Sequence, residues 1–259
     1  MAKGNDILSL SEQLEACDGY KILNKIRLLG ITYFIFMGNY KELKKAINYW
    51  QHPERALNLS SVENRNKLHF LLKEIIRHLH NYSASVMSLV EHTRKFARRE
   101  YKGKPFLEEY QKQVDATFTE SPLSNFVQDL RDYTLHKGLP ITSAILNFNQ
   151  SLGYDSSIML DIKKLQNWKG WSDKAEEYIA TLGDAVKLDE IVDAYKSLVS
   201  EFYKWFGERQ EDVHKKEFQR VRYLQQRIKK LLNENDKKRQ TKNGSLIIRG
   251  IINDTKNKS

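Results

Sequence analysis

A single cysteine, Cys17, in 259 residues excludes an intrachain disulfide and a cysteine-rich zinc site. A lone thiol of this kind fits a reducing compartment and is best read as a small buried apolar side chain. Proline is almost as scarce, with four residues, so few positions break helices. No apolar run approaches the ~20 residues of a membrane span; the most apolar, Leu28 to Met37, is short and contains Gly30. The segment after Met1 carries Glu12 and Glu15 and has no signal-peptide core, so the chain reads as cytoplasmic with no membrane span. Glycine-rich phosphate loops, dinucleotide-binding glycine patterns, HExxH and Gly-x-Ser-x-Gly are all missing. The common nucleotide-dependent, zinc-dependent and serine-hydrolase classes therefore lose their sequence support, and no cofactor and no metal site are expected.

What is present is enough for a core: 40% of residues are apolar and 11% aromatic. Lys and Arg number 43 against 33 acids, a formal charge of +10 that favours a polyanion such as RNA as partner, or an anionic membrane surface. Part of that excess lies at the C-terminal end, which reads as a basic polar tail over 234–259.

The apolar spacing predicts a mainly α protein, a helical bundle with two long helices and a β-hairpin insertion. Residues 1–59 form an N-terminal helical segment, in which Gly30 and Gly38 leave boundaries open and a strand over 31–36 competes with helix. Ser60-x-x-Glu63 matches a capping box for the first long helix. Behind it Leu68, Leu72, Ile75, Leu79, Tyr82, Val86 and Leu89 form a stripe that ends near Tyr101, before Lys102-Gly103-Lys104-Pro105. Phe106 to Phe118 reads as a shorter helix, and Ser121-Pro122 as the start of another. Over 141–170 the β-prone runs Ile141 to Phe148 and Ser157 to Ile162 flank Gly153-Tyr154-Asp155 as a hairpin. Over 171–233, Leu188, Val192, Tyr195, Val199, Phe202 and Phe206 mark the second long helix, which Gly207 is expected to bend before the shifted stripe of Phe218, Val221 and Leu224. Leu246 to Ile252 suits a short strand or a helix equally.

One stretch concentrates reactive side chains. Leu123, Phe126, Val127, Leu130 and Thr134 mark the buried face of the helix begun at Pro122, and its end carries Arg131, Asp132, His136 and Lys137 before Gly138 and Pro140. Two roles compete for the pair. In the structural one, Arg131 pairs with an acid such as Asp129 or Glu91 and His136 caps its own helix. In the functional one, both face a cleft. A second stripe on the first long helix, His78, Asn81, Ser85, Ser88 and His92, is either a polar boundary face or the opposite wall of that cleft. His78 and His80 are two apart and so cannot share a metal on one helix face. Arg94, Arg98 and Arg99 end the same helix as a basic run, candidate phosphate contacts along with Lys137, or a solvated face.

Arg131-Asp132-Tyr133-Thr134-Leu135-His136 resembles the HEPN superfamily, small helical bundles marked by an arginine, a polar residue and then a histidine near a helix end. The resemblance covers roughly residues 60–140, an HEPN-like helical core; the hairpin and the C-terminal helices lie outside it. It implies a metal-independent endoribonuclease or RNA-binding effector, in a prokaryotic toxin or antiviral defence setting, whose composite site takes Arg131 and His136 from each copy of a homodimer. His136 would then manage protons and Arg131 would stabilise charge on phosphate oxygens. Asp132, four residues before His136, would orient the imidazole. A separate protein partner is a further expectation. From another class, the alternative is a non-enzymatic helical interaction protein that docks to a protein or nucleic acid.

Overall fold

Long stretches without proline become long helices. The structure, a computed structural model, describes the backbone of residues 2–138, 140, 142–149 and 153–254, and side chains over 5–138, 140, 142–148 and 154–237. Helix α1 (Ala2–Ala16) is followed by α2 (Asp18–Gln51), which runs unbroken through Gly30 and Gly38, so the competing strand is not formed. Next come α3 (Pro53–Ser60), α4 (Arg65–Tyr101), α5 (Pro105–Val114) and α6 (Pro122–His136). A strand pair, β1 (Thr142–Asn149) and β2 (Gly153–Asp161), precedes the short α7 (Ile162–Leu165) and α8 (Asp173–Thr181). Strand β3 (Ala185–Lys187) then leads into α9 (Leu188–Val213) and α10 (Lys215–Asp254).

The expected fold class is the observed one, with local corrections. Ser60 closes α3, donating to the Ala56 carbonyl, and a 3₁₀ turn over Val62–Asn64 precedes α4; the capping box is not formed. The hairpin has Gly153, Tyr154 and Asp155 inside β2, pairing with Asn149, Phe148 and Asn147, so they are not its turn. Its expected first residue, Ile141, lies outside the described residues. The sheet also gains a third strand, because Ala185–Lys187 pairs antiparallel with Met159–Asp161. Three residues are too few to show a period in sequence. Helix α9 runs through Gly207 to Val213, a break at His214 separates it from α10, and helix continues to Asp254 through most of the expected tail. Cys17, expected to be buried, is half-buried.

The chain divides into two units: 1–26 with 208–259, and Arg27–Gly207. In the first, α1 packs on α10 around Leu10, Ile22, Phe218, Val221 and Leu224. Gly19 is required there, since a Cβ would come within 2.6 Å of the Glu217 carbonyl oxygen.

The second unit holds the main core, built from the expected stripes of α4 and α9 together with α2 and α6. Helices α2 and α9 run antiparallel, joined by a polar seam. Tyr33 donates to Ser200 (3.3 Å), Tyr40 to Asp193 (3.0 Å) and Gln51 to Asp189 (2.8 Å), while Lys44 lies 2.8 Å from Asp193 and 3.9 Å from Asp189. Both aspartates sit in the first turns of α9, where the helix dipole favours negative charge. At the end of α2, the buried Trp50 indole N–H donates to the carbonyls of Ile145 (3.3 Å) and Ser157 (3.1 Å), and Ser156 Oγ donates back to the Trp50 carbonyl. The hairpin is thereby tied to the helices, with Ile158 and Leu160 of β2 turned into the core.

Replacing Trp50 by Phe keeps most of the apolar volume and deletes the shared donor. We expect a loss of about 2 kcal/mol in urea unfolding, since two buried carbonyls lose a partner.

Candidate functional site

Helix α6 is placed by its two ends. The Ser121 side chain accepts from the Ser124 N–H (3.2 Å) and Pro122 occupies the first helical position, the start expected from the sequence. At the other end Gly138 adopts φ +146°, a conformation that L side chains rarely take, and its N–H donates to the Tyr133 carbonyl at 3.1 Å. Between the ends, Phe126 and Tyr133 stack on Trp171 with ring centroids 5.4 and 5.8 Å apart, and Trp168 meets Tyr133 edge-on. Asp129 accepts from the Ser172 N–H (2.7 Å) and hydroxyl (2.6 Å), fixing α6 to the start of α8. The end of α6 is thus a rigid mount.

On that mount, Arg131 and Asp132 are half-buried and His136 is exposed. Asp132 Oδ1 accepts from Arg131 Nη1 at 2.7 Å. It therefore holds the arginine; the expected bond to His136 is not made. Neither Asp129 nor Glu91 partners Arg131, since Asp129 bonds Ser172 and Glu91 pairs with Arg94. The His136 imidazole has no hydrogen bond or ion pair among the described residues, and the N–H of Lys137, not the imidazole, meets the Tyr133 carbonyl. Five residues turn a helix by about 140°, so Arg131 and His136 leave α6 in divergent directions.

The stripe on α4 does not face α6 as one wall. His78 stands toward α2, its Nδ1 3.5 Å from Glu42, and lines a groove of about 820 Å³ with Tyr49, Phe70 and Leu71. Ser85 is buried and donates to the Tyr82 carbonyl at 2.7 Å. Asn81 is half-buried. The α4 residues that share a depression with Thr134 of α6 are Lys73, Ile76, Arg77 and His80, and His80 Nδ1 is buried without a partner. Arg131 lies about 60° around α6 from Thr134 and His136 about 160°, so only the arginine is on the α4 side.

The basic run divides as well. Arg99 bonds Glu100 (2.8 Å) and Arg94 pairs with Glu91, while Arg98 has no acidic partner among the described residues. Arg94 and Arg98 are brought together at a cleft of about 330 Å³ between α4, α5, α6 and α9, away from His136 and Lys137. Its walls include Tyr110, Phe118, Phe202 and Tyr203, with Asn125 and Gln128 from the first turns of α6. None of these was singled out from the sequence as a site residue; Phe202 was read only as part of the core stripe of α9. Asn125 and Gln128 offered only a spacing of three beside a buried face, a common pattern.

A further feature was missed on α2. Leu28, Ile31, Phe34 and Ile35 are exposed, Phe34 by 76% and Leu28 by 66%, and the space around Gly38 on the same side is open. The signal was there: Leu28 to Met37 is apolar around its whole circumference, so one side had to remain uncovered or be covered by another molecule.

Among the described residues no group of three or more His, Cys, Asp or Glu is placed to hold a metal ion, and no helix is long and apolar enough to cross a membrane. The chain matches no family model, no curated protein and no solved structure in comparison.

Burial raises the phenols around the cleft. Tyr110 is pushed up to about 12, against the pull of Arg94 and Arg98, and Tyr195 and Tyr203 rise further. These groups keep their protons where the unfolded chain, with tyrosines at 10.0, loses them. Their contribution is complete below pH 10.0 and declines as pH rises toward the folded-state values. We expect the melting temperature to fall steeply above pH ~10, with phenolate absorbance from these residues appearing only on unfolding.

Proposed function

We propose that the protein is a metal-independent endoribonuclease of HEPN type that works as a homodimer, in the cytoplasm of a prokaryotic toxin or defence system. The observation that carries this reading is the partnerless, exposed His136 imidazole on a clamped helix end whose preceding turns also carry an arginine oriented by Asp132. The net charge of +10 supports a polyanionic substrate.

RNA supplies its own nucleophile. The 2′-oxygen attacks the adjacent phosphorus, the bond to the 5′-oxygen breaks, and a 2′,3′-cyclic phosphate and a 5′-hydroxyl result. One group must take the 2′ proton and return a proton to the leaving oxygen, the role of His136. One cation must meet the charge on the non-bridging oxygens, the role of Arg131, with Asp132 as its positioning residue. Because the two side chains diverge on one helix, His136 of one copy works with Arg131 of the other. A face able to bring copies together exists on α2. Its four exposed apolar side chains amount to roughly 500 Å² per copy. A symmetric contact through them would bury about 1,000 Å², the lower range of specific interfaces.

That same face favours a second reading, a non-enzymatic interaction protein that docks a partner helix there. Phe34→Asp separates the stoichiometries: light scattering should show a dimer for the wild type and a monomer for the variant. A wild-type monomer at high micromolar concentration removes the α2 face as a contact between copies.

Cleavage itself is tested on diverse RNAs in EDTA. We expect His136→Ala to lower the rate by about 10²- to 10⁴-fold, the usual worth of a general acid–base group, and Arg131→Ala comparably, with melting temperatures nearly unchanged because His136 is exposed and Arg131 gives up only its contact with the adjacent, half-buried Asp132. Intact RNA with wild-type dimer, or normal cutting by both variants, overturns the enzymatic reading.

A further inference from the structure

We propose that the cleft between α4, α5, α6 and α9 binds a single nucleotide unit, with its base against the aromatic walls and its phosphate at Arg98 and Arg94. The inference stands apart from the endoribonuclease reading, since neither Arg131 nor His136 lines this cleft.

Size is the first argument. At about 330 Å³ the cleft falls at the small end of ligand sites and admits one nucleotide. The walls are the second. The half-buried Phe118, with the buried rings of Tyr110 and Phe202 packed around it, gives the cleft an aromatic wall of the kind on which a base rests without regard to sequence. The third is the distribution of polar groups. Asn125 spends its amide N–H groups on backbone carbonyls that include Thr119 (3.1 Å), while Gln111 and Gln128 each give one N–H, to Asp115 and to Ser124 (3.0 Å), and keep the other. Their carbonyl oxygens remain to accept from a ring N–H or an exocyclic amine. Deeper in, the fully buried Tyr195 hydroxyl has Ser124 beside it but makes no well-formed hydrogen bond.

Charge completes the match. Arg94 is shared with Glu91, whereas Arg98 has no acidic partner among the described residues and stands at the cleft with its donors unspent. An aliphatic anion such as a fatty acid would satisfy the arginine and the apolar walls, yet leave the oxygens of the half-buried Asn125 and Gln128 and the Tyr195 hydroxyl without partners in a confined space. A base satisfies both.

The test uses the full chain and titration calorimetry with the four nucleoside 5′-monophosphates, a 5′-phosphorylated RNA trinucleotide and sodium laurate. Saturable binding of a monophosphate, weakened at least about tenfold by Arg98→Glu, a charge reversal at a phosphate contact, supports the proposal. Val90→Trp, which fills the cleft from a half-buried position, should abolish it. If that variant fails to fold, Arg98→Glu alone decides. Binding of the trinucleotide but of no monophosphate, with the same dependence on Arg98, supports a nucleotide held as part of a strand. No binding of any nucleotide at millimolar concentration, binding unaffected by Arg98→Glu, or laurate preferred to every nucleotide overturns it. His136→Ala should bind like the wild type, so loss of cleavage and loss of nucleotide binding are separate outcomes.

Discussion

The antiparallel seam between α2 and α9 is the constraint on which the larger unit depends. Lys44 and Asp189 are each only 18% exposed at the side chain. Charges so far removed from water are tolerated when they are paired and costly when they are not, by roughly 3–5 kcal/mol for a fully buried pair. A slip of one turn between the helices would part Lys44 from both aspartates and Tyr40 from Asp193. The seam therefore sets the register that the apolar stripes alone leave loose, since leucines and valines accept many neighbours. With register set, Trp50 arrives at the hairpin, and the aromatic residues of α9 face α4 and α5.

Helix α6 takes its place in that frame by aromatic packing. Its buried face stacks on Trp171, and the three remaining directions do different work. Asn125 and Gln128 look into the nucleotide-sized cleft, Thr134 shares a depression with His80, and His136 points to solvent. A rigid helix can serve several surfaces at once because its side chains are separated by fixed angles. In the proposed endoribonuclease the same rigidity fixes the point at which His136 leaves the helix.

Much of the site was legible. Ser121-Pro122 at the start and Gly138 at the end of α6 are chemical signals tied to specific backbone needs, a capping oxygen and a positive φ, and both hold in the structure. The pairing of Arg131 with Asp132 was not, because adjacent residues on a helix usually diverge and only long, flexible arginines reach a neighbour. Nor was the turning of the α4 stripe toward α2, where His78 lies 3.5 Å from Glu42 and His92 3.3 Å from Thr32. Spacings of three and four place these residues on one face, but the sequence does not say which neighbour covers it. Strand β3 is of the same kind, three residues whose only reason to extend is the open edge of β2.

By itself the sequence determined the periods and the punctuation: which residues lie on one face of α4, α6 and α9, where α4 and α6 stop, and that Arg131 and His136 stand at a helix end. These are local properties, written in spacings of three and four and in the few residues that cap or break a helix. Tertiary structure alone decided which faces meet. It gave Asp129 to Ser172, Asp132 to Arg131 and Glu91 to Arg94, gathered Arg94 and Arg98 with Asn125 and Gln128 around one cleft, and left one side of α2 bare. Those outcomes depend on partners tens of residues away in the chain, and hydrophobic burial, being non-directional, does not encode them one helix at a time.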